Sequence, residues 1–267
     1  MAPWLDAVVL GLVEGITEFL PISSTGHLIV AEHWLGLGGE RWTTFEIFIQ
    51  LGAILAVAWF YRVRLATTAR SALVPGEGQR LIVNLAIGFF PAGLAGLLLH
   101  HWVKQHLFSP VVVGITLIVG GVIILLIERW RPRSRVYELK EITPGLALGI
   151  GCAQALALIP GVSRSGATIM GAYSMGVARF AATEFSFFLA LPTMCAATLF
   201  DLYKSRGALS MGDIPVFTIG FVVSFLSALV VIKAFLQFVS SHDFRGFAWY
   251  RLGFGALVLL IYRQAAG

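Results

Sequence analysis

The chain has 267 residues, 58% of them hydrophobic and only 12% charged, where an ordinary soluble domain carries about 25% charged residues. With a mean hydropathy of +0.85, this composition excludes a soluble domain and implies one integral membrane domain over residues 1–267. The net charge of +5 does not point to nucleic acid, because nine of the nineteen Lys and Arg residues gather in two loops, Arg62, Arg64, Arg70 and Arg80 in one and Arg129, Arg131, Arg133, Arg135 and Lys140 in the other, as topological anchors do.

In chain order, the first element is an apolar stretch over 4–37, too long for a single span and broken near its middle by Pro21-Ile22-Ser23-Ser24-Thr25-Gly26-His27. Its first arm carries Glu14 and Glu18, one helical turn apart on one face. Carboxylates at membrane depth are costly and persist mainly where they line a polar cavity or pathway. The arm has no basic leader and carries Asp6, so it is not expected to be a cleavable signal. Non-helical backbone is tolerated at this depth only when buried in protein or lining a cavity. The stretch therefore predicts two half-helices meeting at a loop, a re-entrant hairpin, rather than one kinked span.

Three runs of spanning length, roughly 17–25 residues, follow at about 44–61, 81–99 and 110–127. Glu46 and Gln50 share a face of the first and can reach a cavity; Asn84 reads as a packing group. His100, His101 and His106 cluster in an outer loop without metal-site spacing. A second broken stretch covers 143–178, interrupted by Pro160-Gly161-Val162-Ser163-Arg164-Ser165-Gly166. Glu184 follows it at a membrane boundary. The last runs are about 183–202, 214–232 and 248–263, the last short and bounded by Arg251 and Arg263. Cys152 and Cys195 fall in apolar segments and read as small buried hydrophobes.

The halves repeat. One ungapped offset of 140 residues aligns Gly11 with Gly151, Glu14 with Gln154, Ser23 with Ser163, Thr25 with Ser165, Gly26 with Gly166 and Phe45 with Phe185. The predicted fold is all-α and polytopic: two inverted-topology repeats, about 1–140 and 141–267, each with one re-entrant hairpin and three transmembrane helices. Interrupted helices at corresponding positions of such halves mark a binding site near the midplane. With the basic loops 62–80 and 128–142 on the cytoplasmic side, both termini lie outside.

Brought together, the breaks supply Glu14, Glu18, Ser23, Ser24, Thr25, Gly26 and His27 from one side and Ser163, Arg164, Ser165 and Thr168 from the other. Each has a plainer reading alone: hydroxyls bracing helices, a satisfied interior histidine, Arg164 as a charge partner for Glu14 or Glu18. Jointly they suit a phosphate. A half-helix starting after each break offers free backbone N–H groups, and Arg164 offers a planar fork. Two carboxylates beside an anion would repel it unless Glu14 and Glu18 hold a divalent cation, Mg²⁺ or Ca²⁺. No P-loop, Rossmann, zinc or haem motif is present.

At these residues the chain resembles the bacitracin-resistance family of undecaprenyl-diphosphate phosphatases. The first family motif stands as Glu14-Gly15-Ile16-Thr17-Glu18-Phe19-Leu20-Pro21-Ile22-Ser23-Ser24-Thr25-Gly26-His27, the second as Pro160-Gly161-Val162-Ser163-Arg164-Ser165-Gly166-Ala167-Thr168. The resemblance implies hydrolysis of undecaprenyl diphosphate to undecaprenyl phosphate and inorganic phosphate, recycling the cell-wall carrier lipid. It also implies a divalent-cation requirement, a bacterial plasma (inner) membrane location and an active site open to the outer, periplasmic face. By position it makes Glu14, Glu18, Ser24, His27 and Arg164 the critical residues. Expected partners are the polyprenyl diphosphate substrate and membrane lipids, with a homodimer left open. Ser24 as nucleophile with His27 as its base is the favoured chemistry, against His27 or water attacking directly. A carrier moving a lipid phosphate between leaflets on the same anion cradle is the competing class. A phosphatidic-acid-type lipid phosphatase lacks its later His and Asp here.

Overall fold

The computed structural model describes residues 2–130, 133–205 and 211–264. The described residues form eleven α-helices: α1 Pro3–Thr17, α2 Ser24–Leu35, α3 Glu40–Phe60, α4 Arg62–Arg70, α5 Glu77–His106, α6 Pro110–Trp130, α7 Pro144–Ala155, α8 Arg164–Ser174, α9 Arg179–Ser205, α10 Ile214–Val239 and α11 Arg245–Gln264. No β-strand occurs among them. One isolated parallel bridge, Val136 to Val177, ties the basic loop to the α8–α9 turn, helped by the Ala178 N–H donating to the Val136 carbonyl at 2.7 Å.

Five helices are long and apolar enough to cross a membrane: Arg41–Phe60, Glu77–Leu99, Pro110–Trp130, Arg179–Asp201 and Ile214–Val239. The sequence had suggested six. The sixth run lies in α11, which has the length, but Arg251 and its neighbouring glycines leave it less apolar than the others. The protein is thus a multi-pass membrane protein. Its outward faces carry the side chains that hydrocarbon tolerates, such as Leu98, Leu126 and Val230, all well exposed. α4 is a helix where only a basic loop was expected.

Both broken stretches do split into two helices. Pro144 starts α7, with the Thr143 Oγ1 accepting from the Leu146 N–H at 3.3 Å, a common N-terminal arrangement. α1 likewise has proline in its first turn. The residues before α2 and α8, Ser23 and Ser163, have φ of 71° and 62° and are the two non-glycine residues with positive φ among the described residues. Such backbone is uncommon for a side-chain-bearing residue and persists only where its surroundings over-determine it. The two serines stand at the offset of 140 seen in the sequence.

Glycines set the contacts that place these helices. α1 packs on α10, and α7, its counterpart in the second half, packs on α5. A Cβ on Gly11 would meet the Gly220 carbonyl oxygen at 2.6 Å, and one on Gly151 would come closer still to the Gly88 carbonyl. Small residues let membrane helices approach to backbone contact. Through the middle runs α9, whose ten residues Ala181–Ala190 are all buried, as expected of a helix surrounded by others. Phe185, Phe187 and Phe188 anchor the main core with Phe19, Phe235 and Phe244, and Phe19 meets Phe187 edge-on at 5.2 Å.

Three minor expectations are settled here. Asn84 Nδ2 donates to the Ile142 carbonyl at 2.6 Å, a packing role. Cys195 is partly buried, but Cys152 is exposed on α7; it faces outward because Gly151 and Gln154, not residue 152, point at α5 and the interior. His106 Nδ1 pairs with the Trp102 carbonyl at 2.9 Å. The His100 side chain and Arg131 lie outside the described residues.

Because the atom opposing Gly151 is backbone and cannot rotate away, Gly151→Val should cost about 1–3 kcal/mol of stability and lower the melting temperature in detergent. Gly145, one turn and a half earlier on the same helix, has nothing within 4 Å, and Gly145→Ala should leave melting unchanged. Equal melting of both variants would show that α7 does not need this approach to α5.

Candidate active site

The two breaks lean on each other. Ser165 Oγ donates to the Leu20 carbonyl at 2.8 Å. Ser163 Oγ accepts from the Gly166 N–H at 3.1 Å, capping α8. Ser23 makes no such bond, so the first N–H groups of α2 have no side-chain cap. Uncapped amides at a helix start form an anion site.

Between the loops lies a cavity of about 580 Å³. Glu18, Ser23, Ser24, Thr25, Ser163 and Arg164 form its polar floor. At its centre Glu18 joins the two halves. Its Oε2 accepts from Ser24 Oγ at 2.6 Å, and its Oε1 accepts from Arg164 Nη2 at 3.1 Å. Ser24 opens α2 and Arg164 opens α8, so one carboxylate links the starts of both return helices. Arg164 is steadied by the Ser186 carbonyl, 3.1 Å from Nη1, and lies 5.7 Å over the Phe19 ring. Thr168 shares a 2.6 Å hydrogen bond with Ser186 Oγ and donates to the Arg164 carbonyl or the Ser165 carbonyl.

Two buried polar atoms of predicted site residues have no protein partner, Arg164 Nε and Glu14 Oε1, although Glu14 itself does not line the cavity. Buried orphans are rare and call for an explanation. One is an acceptor on a residue that is 1% exposed; the other is a guanidinium donor. The pair suits a ligand assembly carrying both a cation and an anion.

Other predicted site residues stand back from the cavity. Gly26 packs against Val113 and Leu117 of α6. Ser165 and Thr168 brace the loops. His27 does not bond Ser24. Its Nδ1 is 2.7 Å from the Ser23 carbonyl and its Nε2 is 2.7 Å from the Tyr250 hydroxyl. A carbonyl can only accept, so Nδ1 carries a proton, and in the neutral ring Nε2 accepts from Tyr250. The ring also stacks on Phe254 at 4.1 Å. The i to i+3 spacing put His27 near Ser24 in sequence, but the turn at Ser23 presents its carbonyl to the imidazole first. Glu46 also misses the cavity and hydrogen-bonds Glu32, while Gln50 lines it. Glu184 is paired with Arg64 at 2.5 Å. Among the described residues no group of three His, Cys, Asp or Glu side chains is placed to hold a metal ion.

Arg251 was read in the sequence only as the border of the last run. It is 1% exposed and donates to four carbonyls: Leu117 at 3.2 Å, and Pro21, Thr116 and Gly161 at 3.1 Å each. Pro21 belongs to the first break and Gly161 to the second. Thr116 Oγ1 adds a 2.7 Å bond to the Pro160 carbonyl. The available signal was a charge inside an apolar run, the same signal that singled out Glu14. The short length of that run disguised it.

Comparison with known proteins gives consistent matches. A family model described as "Bacitracin resistance protein BacA" matches residues 7–257. The chain is similar to an undecaprenyl-diphosphatase of Methylobacillus flagellatus, 51% identical over 263 residues and 97% of each chain. Against one of Aromatoleum aromaticum it is 53% identical over 253 residues, covering 95% of this chain and 92% of the relative. Against one of Nitrosospira multiformis it is 52% identical over 256 residues, covering 96% and 94%.

Losing the Arg251 fork would leave the Pro21 and Gly161 carbonyls, which lie outside any helix, without that partner, at about 1–3 kcal/mol each. Arg251→Lys, which keeps the charge but not the fork, should lower stability by about 3 kcal/mol, read as thermal unfolding in detergent. A lysine variant that melts like the parent would show that these carbonyls do not depend on the guanidinium.

Proposed function

The chain belongs to the bacitracin resistance protein BacA family, and we propose that it hydrolyses undecaprenyl diphosphate to undecaprenyl phosphate and inorganic phosphate at the cavity between α2 and α8. The reaction would return the carrier lipid to cell-wall synthesis and confer the resistance that the family description names. The observation that carries this reading is Glu18 holding Ser24 on one oxygen and Arg164 on the other. A hydroxyl nucleophile, a carboxylate able to take its proton and a phosphate-binding fork thus share one cavity.

In the proposed sequence, the distal phosphate settles on the free N–H groups of α2, with Thr25 and Ser163 beside it. Its oxygens draw the Arg164 guanidinium. Ser24 Oγ attacks the distal phosphorus, its proton passes to Glu18, and the anhydride bond breaks to release the lipid monophosphate. Water then attacks the phosphoserine. Its hydroxyl stays with phosphorus, its other proton returns to Ser24 Oγ, and Glu18 gives its proton to solvent. Positioning and charge stabilisation supply most of the rate in such transfers. His27 supports this arrangement from behind: its Nδ1–H holds the Ser23 carbonyl and hence the turn that aims Ser24. Direct attack by His27 has no such support, since both its nitrogens are engaged elsewhere.

The proposal includes a divalent cation held by two carboxylates. Glu14, with its unpartnered Oε1, and Glu18 would hold Mg²⁺ or Ca²⁺, and the diphosphate and waters would complete the shell. When bound, the ion would neutralise diphosphate charge.

The proposal includes inverted-topology repeats with re-entrant breaks. The equivalent backbone at Ser23 and Ser163 and the crossed packing of α1 on α10 and α7 on α5 support it. The basic loops 62–80 and 128–142 then face the cytoplasm, and the site faces the outer side of the bacterial plasma (inner) membrane. A homodimer is not needed, because the cavity draws on one chain. A lipid-phosphate carrier would use the cradle and Arg164, but the Ser24–Glu18 bond would have no task in it.

Purified protein in detergent should release phosphate from undecaprenyl diphosphate. EDTA should abolish release, and Mg²⁺ or Ca²⁺ should restore it. Full activity after exhaustive chelation would remove the metal role, and no release with either ion present would remove the hydrolytic one.

With substrate labelled in the distal phosphate, acid quench should retain label on Ser24, because a phosphoserine is acid-stable. Glu18→Gln should slow its formation by about 10²–10⁴-fold, the range for loss of a general base. Acid-labile, base-stable label on His27 would overturn the Ser24 assignment.

A further inference from the structure

The two breaks share one backbone turn but hold it by different means. At the second, Ser163 Oγ accepts from the Gly166 N–H and closes the start of α8. At the first, Ser23 leaves the start of α2 without a side-chain cap. That suits a helix start reserved for an anion. It also deprives a left-handed serine, φ 71°, of the bond that its counterpart has. The offset of 140 residues pairs His27 with Ala167, so the first break carries an imidazole where the second carries a methyl. This imidazole supplies the missing restraint, with Nδ1 lying 2.7 Å from the Ser23 carbonyl.

A neutral imidazole can hold that carbonyl only with its proton on Nδ1, and the proton's place is set by what the other nitrogen meets. Nε2 meets Tyr250 of α11, whose hydroxyl is 2.7 Å away. A hydroxyl that donates there needs a bare Nε2, which leaves the single ring proton on Nδ1. The ring is also kept from turning. The His27 and Tyr250 rings lie in planes 3° apart, and Phe254, one turn further along α11, stacks on the imidazole at 4.1 Å. Arg251, next to Tyr250, donates to the Pro21 carbonyl. One turn of α11 therefore grips the first break twice, at Pro21 directly and at Ser23 through His27.

We propose that Tyr250 is a positioning residue: its hydroxyl holds His27 in the Nδ1–H tautomer, and His27 holds the Ser23 turn that aims Ser24 while the first N–H groups of α2 stay free. Tyr250 does not line the cavity and acts only through the imidazole. Its part in turnover rests on the hydrolytic reading; its hold on the tautomer does not.

The tautomer is read directly by NMR of isotope-labelled histidine nitrogens in mildly alkaline buffer, where imidazole is neutral, with His27 assigned by the signal lost in His27→Asn. The wild-type protein should show Nδ1 protonated and Nε2 bare; the reverse would overturn the proposal without any variant. Tyr250→Phe keeps the ring and removes the hydroxyl. It should shift His27 towards the Nε2–H form and lower kcat for undecaprenyl diphosphate about tenfold, as loss of an outer partner does, with KM within about twofold. An unchanged tautomer or an unchanged kcat would overturn the proposal. Trp249→Phe, beside it on α11 and 64% exposed, should leave both at wild-type values. A double-mutant cycle separates positioning from packing. His27→Asn keeps an amide donor near the Nδ1 position, and in that background Tyr250→Phe should cost nothing further. The full tenfold loss recurring there would show that Tyr250 acts by packing alone; should His27→Asn be inactive, the tautomer and kcat of Tyr250→Phe decide. A wild-type protein that shows the Nδ1–H tautomer but releases no phosphate would overturn the hydrolytic reading and leave the tautomer lock standing.

Discussion

One guanidinium holds the two broken stretches in place. An arginine inside a bilayer is among the least favourable side chains to bury, and Arg251 is buried without a carboxylate partner among the described residues. It is tolerated because its fork meets four carbonyls, from α6 and from both breaks. Two of those carbonyls, Pro21 and Gly161, have their own need: broken helices at membrane depth leave backbone groups that lipid cannot satisfy. Each deficit therefore meets the other. The arrangement requires α11, α6 and both loops to converge on one point, and that convergence sets where α2 and α8 begin.

The rest of the site follows from those two starting points. Ser23 and Ser163 adopt a left-handed backbone that costs about 1–3 kcal/mol at each residue. The carbonyl bonds around Arg251, the Ser165 bond to Leu20 and the His27 bond to Ser23 over-determine the turns and hold them there. The turns bring the first residues of α2 and α8, Ser24 and Arg164, within reach of a single carboxylate, Glu18. A cavity walled by protein strengthens the charge interactions in it relative to water. Burial likewise makes Glu14 Oε1 and Arg164 Nε, which have no protein partner, costly.

Much of this was legible in the sequence, and what was not has identifiable causes. The membrane class, the positions of five spanning helices and both interruptions were readable because apolar runs and their breaks are local signals. The assembly of Glu18, Ser24 and Arg164 was readable because two related motifs carried it. The partners of His27 were not. Spacing along one helix put it beside Ser24, but Tyr250, 223 residues away in sequence, and the unusual turn at Ser23 turned the ring elsewhere. Arg251 was misread for a similar reason. Its four acceptors are backbone carbonyls, which every residue carries, so no residue type announces the partnership. The apolar part of the cavity wall was equally silent, since Gly93, Gly96 and Ala197, which line it, look like ordinary membrane-helix packing in the sequence.

The sequence differences between the two breaks divide the polar groups of the site between them. At the shared offset the breaks keep what builds the turn: Ser23 and Ser163 with matching backbone, Gly26 and Gly166 after them. They differ where chemistry is needed. Ser24 of the first half stands opposite Arg164 of the second, and Glu14 opposite Gln154. The first half thus contributes the hydroxyl and the carboxylates, and the second contributes the cation and a neutral amide, which pairs with Thr193 at 3.2 Å. Had both halves kept the carboxylates, four negative charges would surround one anion. Had both kept arginine, the Ser24 hydroxyl would be absent. With the hydroxyl and carboxylates on one break and the guanidinium on the other, the groups of opposite charge are positioned by separate helix starts, and Glu18 alone reaches across to both.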